Sequence, residues 1–151
     1  DLMIHDLDLL LSIVDEPVVS VEAVGVPVLT PRIDIANVRL KFAGGCIANL
    51  TASRISRDRV RKIRFFQPHS YLSIDYAAQE VERWTIGAGP AGTPAIQGGK
   101  LDVVKDEPLR CELVDFVAAV RDGRPPRVTG EQGREALTLA TTIVERMDHV
   151  R

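Results

Sequence analysis

An α+β architecture is predicted by three features of this 151-residue chain. Apolar and polar residues alternate with period two between Val18 and Ile55, and a Gly44-Gly45 pair marks a hairpin inside that stretch. Helical spacing, with apolar residues three and four apart, is confined to residues 1–14 and to the stretch beyond Asp106. A mostly antiparallel sheet of about six strands, with three amphipathic helices packed on one face, accommodates all three and leaves the other face to water or a partner.

The first helix covers Asp1 to Val14. At 100° per residue, Asp1, His5, Asp8 and Ser12 fall within a stripe roughly 60° wide. Leu2, Met3, Ile4, Leu7, Leu9, Leu10, Leu11, Ile13 and Val14 cover most of the remaining circumference. A helix this apolar belongs in an interior or a large interface, so the ionisable stripe is expected to be buried or at a cleft. Two carboxylates one turn either side of an imidazole favour its protonated form and orient it, while burial opposes the charge, an arrangement suited to a proton relay. The same residues also fit a satisfied core histidine at a helix start, and the helix alone does not separate the two readings.

Pro17 stops this helix. A strand follows from Val18 to Leu29, with Val19, Val21 and Ala23 on one side, Ser20 and Glu22 on the other, and Pro27 marking an edge or bulge. After the loop Thr30-Pro31-Arg32 comes the clearest strand, Ile35 to Ala43, in which Ala36, Val38, Leu40 and Phe42 oppose Asn37, Arg39 and Lys41. Its antiparallel partner across Gly44-Gly45 runs from Cys46 to Ile55. Arg54, Arg57, Arg59, Arg61, Lys62 and Arg64 then place six cations in eleven residues. Such a run fits a solvated strand face; its functional alternative is an anion site for phosphate or diphosphate, which the planar guanidinium suits. Tyr71–Tyr76 and Gln79–Ile86 read as two more strands.

Gly87-Ala88-Gly89-Pro90-Ala91-Gly92 matches the letters of the dinucleotide fingerprint, but that fingerprint requires a helix opening directly after the turn. Thr93 to Gly99 instead carry a second proline and two more glycines and have no helical period, so residues 87–99 read as a mobile surface loop. Lys100–Lys105 makes one last short strand. Pro108 in a first turn, the stripe Leu109, Leu113, Phe116, Val117 and Val120, and Gly123 delimit the second helix. Thr129 with Gln132 forms a capping box that opens the third, whose stripe is Ala136, Leu137, Ala140, Ile143, Val144 and Met147.

With 45% hydrophobic and 26% charged residues and a net charge of −2, the chain resembles an ordinary globular protein of one domain, 1–151. Nothing in the charge balance or aromatic placement points to nucleic acid. Cys46 and Cys111 lie far apart without metal-ligand spacing, so no metal is expected. The absence of an apolar run of about 18 residues or a secretory signal argues against membrane insertion and for a cytoplasmic address. The start inside an amphipathic pattern, without an initiator Met, suggests a piece of a larger protein.

The ordered set Asp1-x-x-x-His5-x-x-Asp8, Asp34-Ile35-Ala36, Gly44-Gly45, Ala52-Ser53-Arg54 and Arg124-Pro125-Pro126-Arg127-Val128-Thr129-Gly130 resembles the C-terminal half of the Gfo/Idh/MocA family of NAD(P)-dependent oxidoreductases. The resemblance implies a glyceraldehyde-3-phosphate-dehydrogenase-like C-terminal domain whose open sheet face makes a homodimer or higher oligomer. It implies that His5 exchanges a proton with a substrate hydroxyl, that Asp1 orients or charge-balances it, and that Asp8 supports the pair from behind. Arg54 and Arg32 are the candidate substrate-binding residues. NAD or NADP would be held by an N-terminal Rossmann half absent from this chain, which alone would neither hold the cofactor nor turn over substrate. The stretches 45–54 and 64–67 are most similar to members that oxidise a ring hydroxyl of a nucleotide-linked amino sugar. A non-catalytic self-association module, or an enzyme of the same architecture acting on a non-sugar substrate, are the rival readings.

Overall fold

The computed structural model describes residues 3–57, 60–90 and 93–149. In chain order its elements are α1 (Ile4–Ile13), β1 (Val18–Val26), β2 (Ile35–Phe42), β3 (Ile47–Ser53), β4 (Lys62–Gln67), β5 (Ser70–Asp75), β6 (Glu80–Ala88), β7 (Pro94–Leu101), α2 (Pro108–Asp122), α3 (Gly130–Glu145) and β8 (Met147–His149). The chain divides into two compact units, residues 1–57 with 115–151, and residues 58–114. The strands form two four-stranded sheets, β3-β2-β1-β8 in the first unit and β4-β5-β6-β7 in the second.

In the first unit β1, β2 and β3 are consecutive antiparallel neighbours, with Ala23 opposite Val38 and Val38 opposite Leu50. That register puts the apolar residues of all three strands on one face, as period-two alternation requires. Leu7 and Leu10 of α1 and Leu139 and Ile143 of α3 close over Ala23, Val38, Leu40 and Phe42 to make the core. Leu7, Leu40 and Phe42 are completely buried, each stabilising the fold by about 1.5–3 kcal/mol. The hairpin between β2 and β3 is joined to the link between α1 and β1: the Gly44 N–H donates to Glu16 Oε2 at 2.7 Å, and Ala43 N–H donates to the Pro17 carbonyl at 3.0 Å. A Cβ at Gly44 would collide with the Glu16 carboxylate, and Gly45 has φ +93°, so the two glycines serve different needs.

The capping box at Thr129 and Gln132 opens α3 as the sequence predicts. Asp115 accepts from Arg124 Nη2 at 2.8 Å and from Arg127 N–H at 2.7 Å, fixing the turn between α2 and α3. Only Ala119 of α2 is buried, and its apolar stripe of Leu109, Leu113, Phe116, Val117 and Val120 is exposed, so the helical layer over the first sheet consists of α1 and α3. β8 adds a short parallel strand beside Ala23–Gly25.

In the second unit the cationic run ends, as its reading as a solvated strand face expects, in a strand, β4, paired along its length with β5. The unit departs from the sequence reading further on. The expected mobile loop at 87–99 is instead largely strand: β6 continues to Ala88, and β7 pairs with it from Pro94. Gly98 and Gly99, at φ +144° and +154°, admit a backbone conformation that other residues rarely adopt. A Cβ at Gly98 would strike the Arg83 carbonyl, so glycine there marks a close strand approach rather than flexibility.

Candidate functional site

Along α1 the buried positions Leu7 and Leu10, with Met3 and Val14 beside them, define the side that meets the sheet. His5 lies roughly opposite them on the helix, at 100° per residue. The structure accordingly exposes His5, half-buries Asp8 and exposes Ser12. The expected burial of this stripe is not observed, because a two-layer unit covers one side of a helix and leaves the other open. Among the described residues His5 has no side-chain hydrogen bond or ion pair, so it is not a satisfied core histidine. Asp1 lies outside the described residues.

The register places Val26, Ile35 and Ser53 side by side at one end of the first sheet. From this end project the loop 27–34 and Arg54. At the other end Leu11 and Val14, closing α1, line a groove with Val18, Val19 and Val21, which begin β1. The loop end of the sheet is the one that carries Arg32 and Arg54.

The best-built polar group at this end centres on Asp34, which is 3% exposed. Its Oδ2 accepts from the backbone N–H groups of Val28 (2.9 Å), Leu29 (2.7 Å) and Thr30 (2.9 Å). Its Oδ1 accepts from Thr30 Oγ1 at 3.0 Å and from Arg54 Nε at 2.7 Å. Burial pushes the Asp34 carboxyl up, but the N–H groups of Thr30, Leu29 and Val28 and the Arg54 guanidinium outweigh it and hold the group well below the usual carboxylate range. Arg54 Nη2 also donates to Thr30 Oγ1 at 2.8 Å, so this guanidinium forks across a carboxylate and a hydroxyl. Arg32 is exposed, and among the described residues its guanidinium has no partner. Sequence reasoning singled out Arg54 and Arg32 for binding and named Asp34 and Thr30 only as parts of a strand opening and a loop; the Asp34 hydrogen bonds run back four to six residues, which a local turn signature does not predict.

Gly87 and Ala88 pair with Ala95 and Pro94 of β7, so the segment is followed by a strand where a dinucleotide pyrophosphate needs a helix N-terminus. Cys46 and Cys111 are free and exposed, and among the described residues no cluster of three or more His, Cys, Asp or Glu side chains could hold a metal ion. No helix of the described residues is long and apolar enough to cross a membrane.

Residues 1–67 match the family model of the GFO/IDH/MocA C-terminal domain. The chain is similar to known dehydrogenases over a greater length. Over 144 residues it is 36% identical to the UDP-N-acetylglucosamine 3-dehydrogenase of Acidithiobacillus ferrooxidans, covering 95% of this chain and 46% of that protein. A solved structure of that dehydrogenase superposes with a TM-score of 0.86 at 32% identity, over 96% of this chain and 45% of the other. A levoglucosan dehydrogenase in complex with NADH and L-sorbose shares the fold, with a TM-score of 0.79 at 15% identity over 97% of this chain and 46% of its own. The chain thus spans about half the length of these relatives.

Proposed function

We propose that this chain is the substrate-binding and oligomerisation half of an NAD(P)-dependent dehydrogenase that oxidises a ring hydroxyl of a sugar or nucleotide sugar, a UDP-linked amino sugar being the best-supported substrate. The observation that carries the reading is the outward-facing His5 stripe of α1, opposite the core, in a chain 36% identical to a UDP-N-acetylglucosamine 3-dehydrogenase. Oxidation of a carbinol removes a hydride from carbon and a proton from oxygen. A nicotinamide cofactor, which a further domain of the intact protein would hold, would supply the hydride acceptor. The His5 imidazole accepts the hydroxyl proton as general base and returns it as general acid in the reverse direction. Asp1 orients or charge-balances that imidazole, and Asp8, one turn further along the same stripe, adds negative potential behind it. Arg32 and Arg54, at the end of the first sheet that carries loop 27–34, serve substrate binding.

Self-association through an exposed face is the second part of the reading. Large apolar side chains outside the core, among them Phe66, Trp84, Ile86 and Ile96 of the second sheet, are at least 38% exposed. A row of this kind favours an interface over open solvent.

The test is turnover by the intact protein with UDP-N-acetylglucosamine and NAD(P)⁺, read as formation of reduced nicotinamide. Turnover that depends on His5 is the expected result. A folded protein that self-associates yet reduces no nicotinamide with any sugar or nucleotide sugar supports the non-catalytic module instead.

A further inference from the structure

The two candidate arginines at the loop end of the first sheet are not equivalent. Arg54, although its side chain is 42% exposed, is already paired: Nε lies 2.7 Å from Asp34 Oδ1 and Nη2 lies 2.8 Å from Thr30 Oγ1. A guanidinium already balanced by a buried carboxylate gains little from a second anion. The backbone of loop 28–30 is equally committed, because its three successive N–H groups, a ready-made anion nest, already converge on Asp34 Oδ2. Thr30 passes this order one step further. Its hydroxyl has a single proton, which goes to the nearby Asp34 carboxylate, and its oxygen accepts from the Arg32 N–H at 3.2 Å. The backbone of Arg32 is therefore held by the clamp while its side chain is exposed, with no partner among the described residues.

We propose that Arg32 supplies the charge that meets the diphosphate of a nucleotide-sugar substrate, and that Asp34 is a positioning residue which, through Thr30 and Arg54, fixes the loop that presents Arg32. The proposal rests on the nucleotide-sugar reading above and divides the roles of the two arginines within it. Arg54 is the anchor of the loop and not a ligand. A free guanidinium on a pre-organised loop can take two phosphate oxygens at once, and the ordering of its backbone is already complete before substrate arrives.

The experiment compares Arg32→Gln, Arg54→Gln and Asp34→Asn in the intact protein. It measures KM and kcat for UDP-N-acetylglucosamine at low and high salt, inhibition by UDP and by inorganic pyrophosphate, and the thermal midpoint. Arg32→Gln is expected to weaken UDP and pyrophosphate inhibition and raise KM by about tenfold or more, the usual effect of one charge-assisted hydrogen bond, while flattening the salt dependence and leaving the thermal midpoint in place. Asp34→Asn and Arg54→Gln are expected to lower the midpoint, and Asp34→Asn to raise KM through the loosened loop. Equal inhibition of wild type and Arg32→Gln by UDP would overturn the proposal while leaving the nucleotide-sugar reading intact. So would an Arg54→Gln variant that keeps the wild-type midpoint and alone loses UDP inhibition, which would make Arg54 the ligand. A wild-type protein that oxidises only uncharged sugars and ignores both UDP and pyrophosphate would remove the nucleotide-sugar reading itself, and the proposal with it.

Discussion

Two substitutions on the same helix separate chemistry from packing. Leu7 is completely buried between α1 and the first sheet, so Leu7→Ala should cost about 2–5 kcal/mol of stability. His5, two residues earlier, is exposed and lies roughly opposite the core stripe. Replacing it with Asn removes no packing and breaks no hydrogen bond among the described residues, so stability should stay within about 0.5 kcal/mol. Its cost should appear in turnover instead, where loss of a positioned general base typically reduces the rate by about 10²–10⁴-fold. Urea unfolding and initial rates of nicotinamide reduction, measured on both variants, read the two axes independently. Comparable turnover in His5→Asn would remove His5 from proton transfer. Destabilisation of His5→Asn on the scale of Leu7→Ala would be equally refuting, because it would return His5 to the core.

Other consequences are simpler to check. Because the folded-state carboxyl of Asp34 titrates below its unfolded value of about 3.9, the stability it contributes is fully present above that value and is lost as pH falls below it; urea midpoints measured from about pH 5 down to pH 2 should show a slope that Asp34→Asn reduces. Gly98→Ala places a Cβ against the Arg83 carbonyl at φ +144° and should cost at least about 1–3 kcal/mol, visible as a lowered thermal midpoint. Thr129→Ala breaks the capping box of α3 and should cost about 1 kcal/mol by chemical denaturation, with Thr129→Ser recovering most of it. Light scattering should find the chain as a dimer or larger assembly, and a charged substitution at Trp84 or Ile86 should shift it towards the monomer if the second sheet carries the contact.

Legibility tracked the strength of periodicity. β2 was readable because Val38, Leu40 and Phe42 alternate with Arg39 and Lys41, and those three apolar residues are the buried ones. The hairpin at Gly44-Gly45 and the capping box at Thr129 were readable because their chemistry is local. β7 was not, since its glycines and proline are loop signals by composition. Only the register opposite β6, with Gly98 facing Trp84, shows why a strand there needs glycine. β4 was legible only as a solvated strand face without bounds, because Phe65 and Ile63 alternate with Arg64 and Lys62 over only six residues, inside a cationic run. For the site, the Asp-x-x-x-His spacing was visible, but the orientation of His5 depends on which side of α1 meets the sheet, and an almost wholly apolar helix does not specify that. The distinction between Arg32 and Arg54 was equally invisible, because it is decided by Asp34, twenty residues away from Arg54 in sequence and 2.7 Å away in space.

The central claim, that this chain carries the proton-transfer and substrate face of a nicotinamide-dependent nucleotide-sugar dehydrogenase, is tested most directly by nicotinamide reduction with UDP-N-acetylglucosamine, comparing the intact wild-type protein with His5→Asn. Reduction by the wild type and its near-complete loss in a His5→Asn variant of unchanged stability is the predicted result. Equal reduction by both, or none by a folded wild type across sugars and nucleotide sugars, would contradict it.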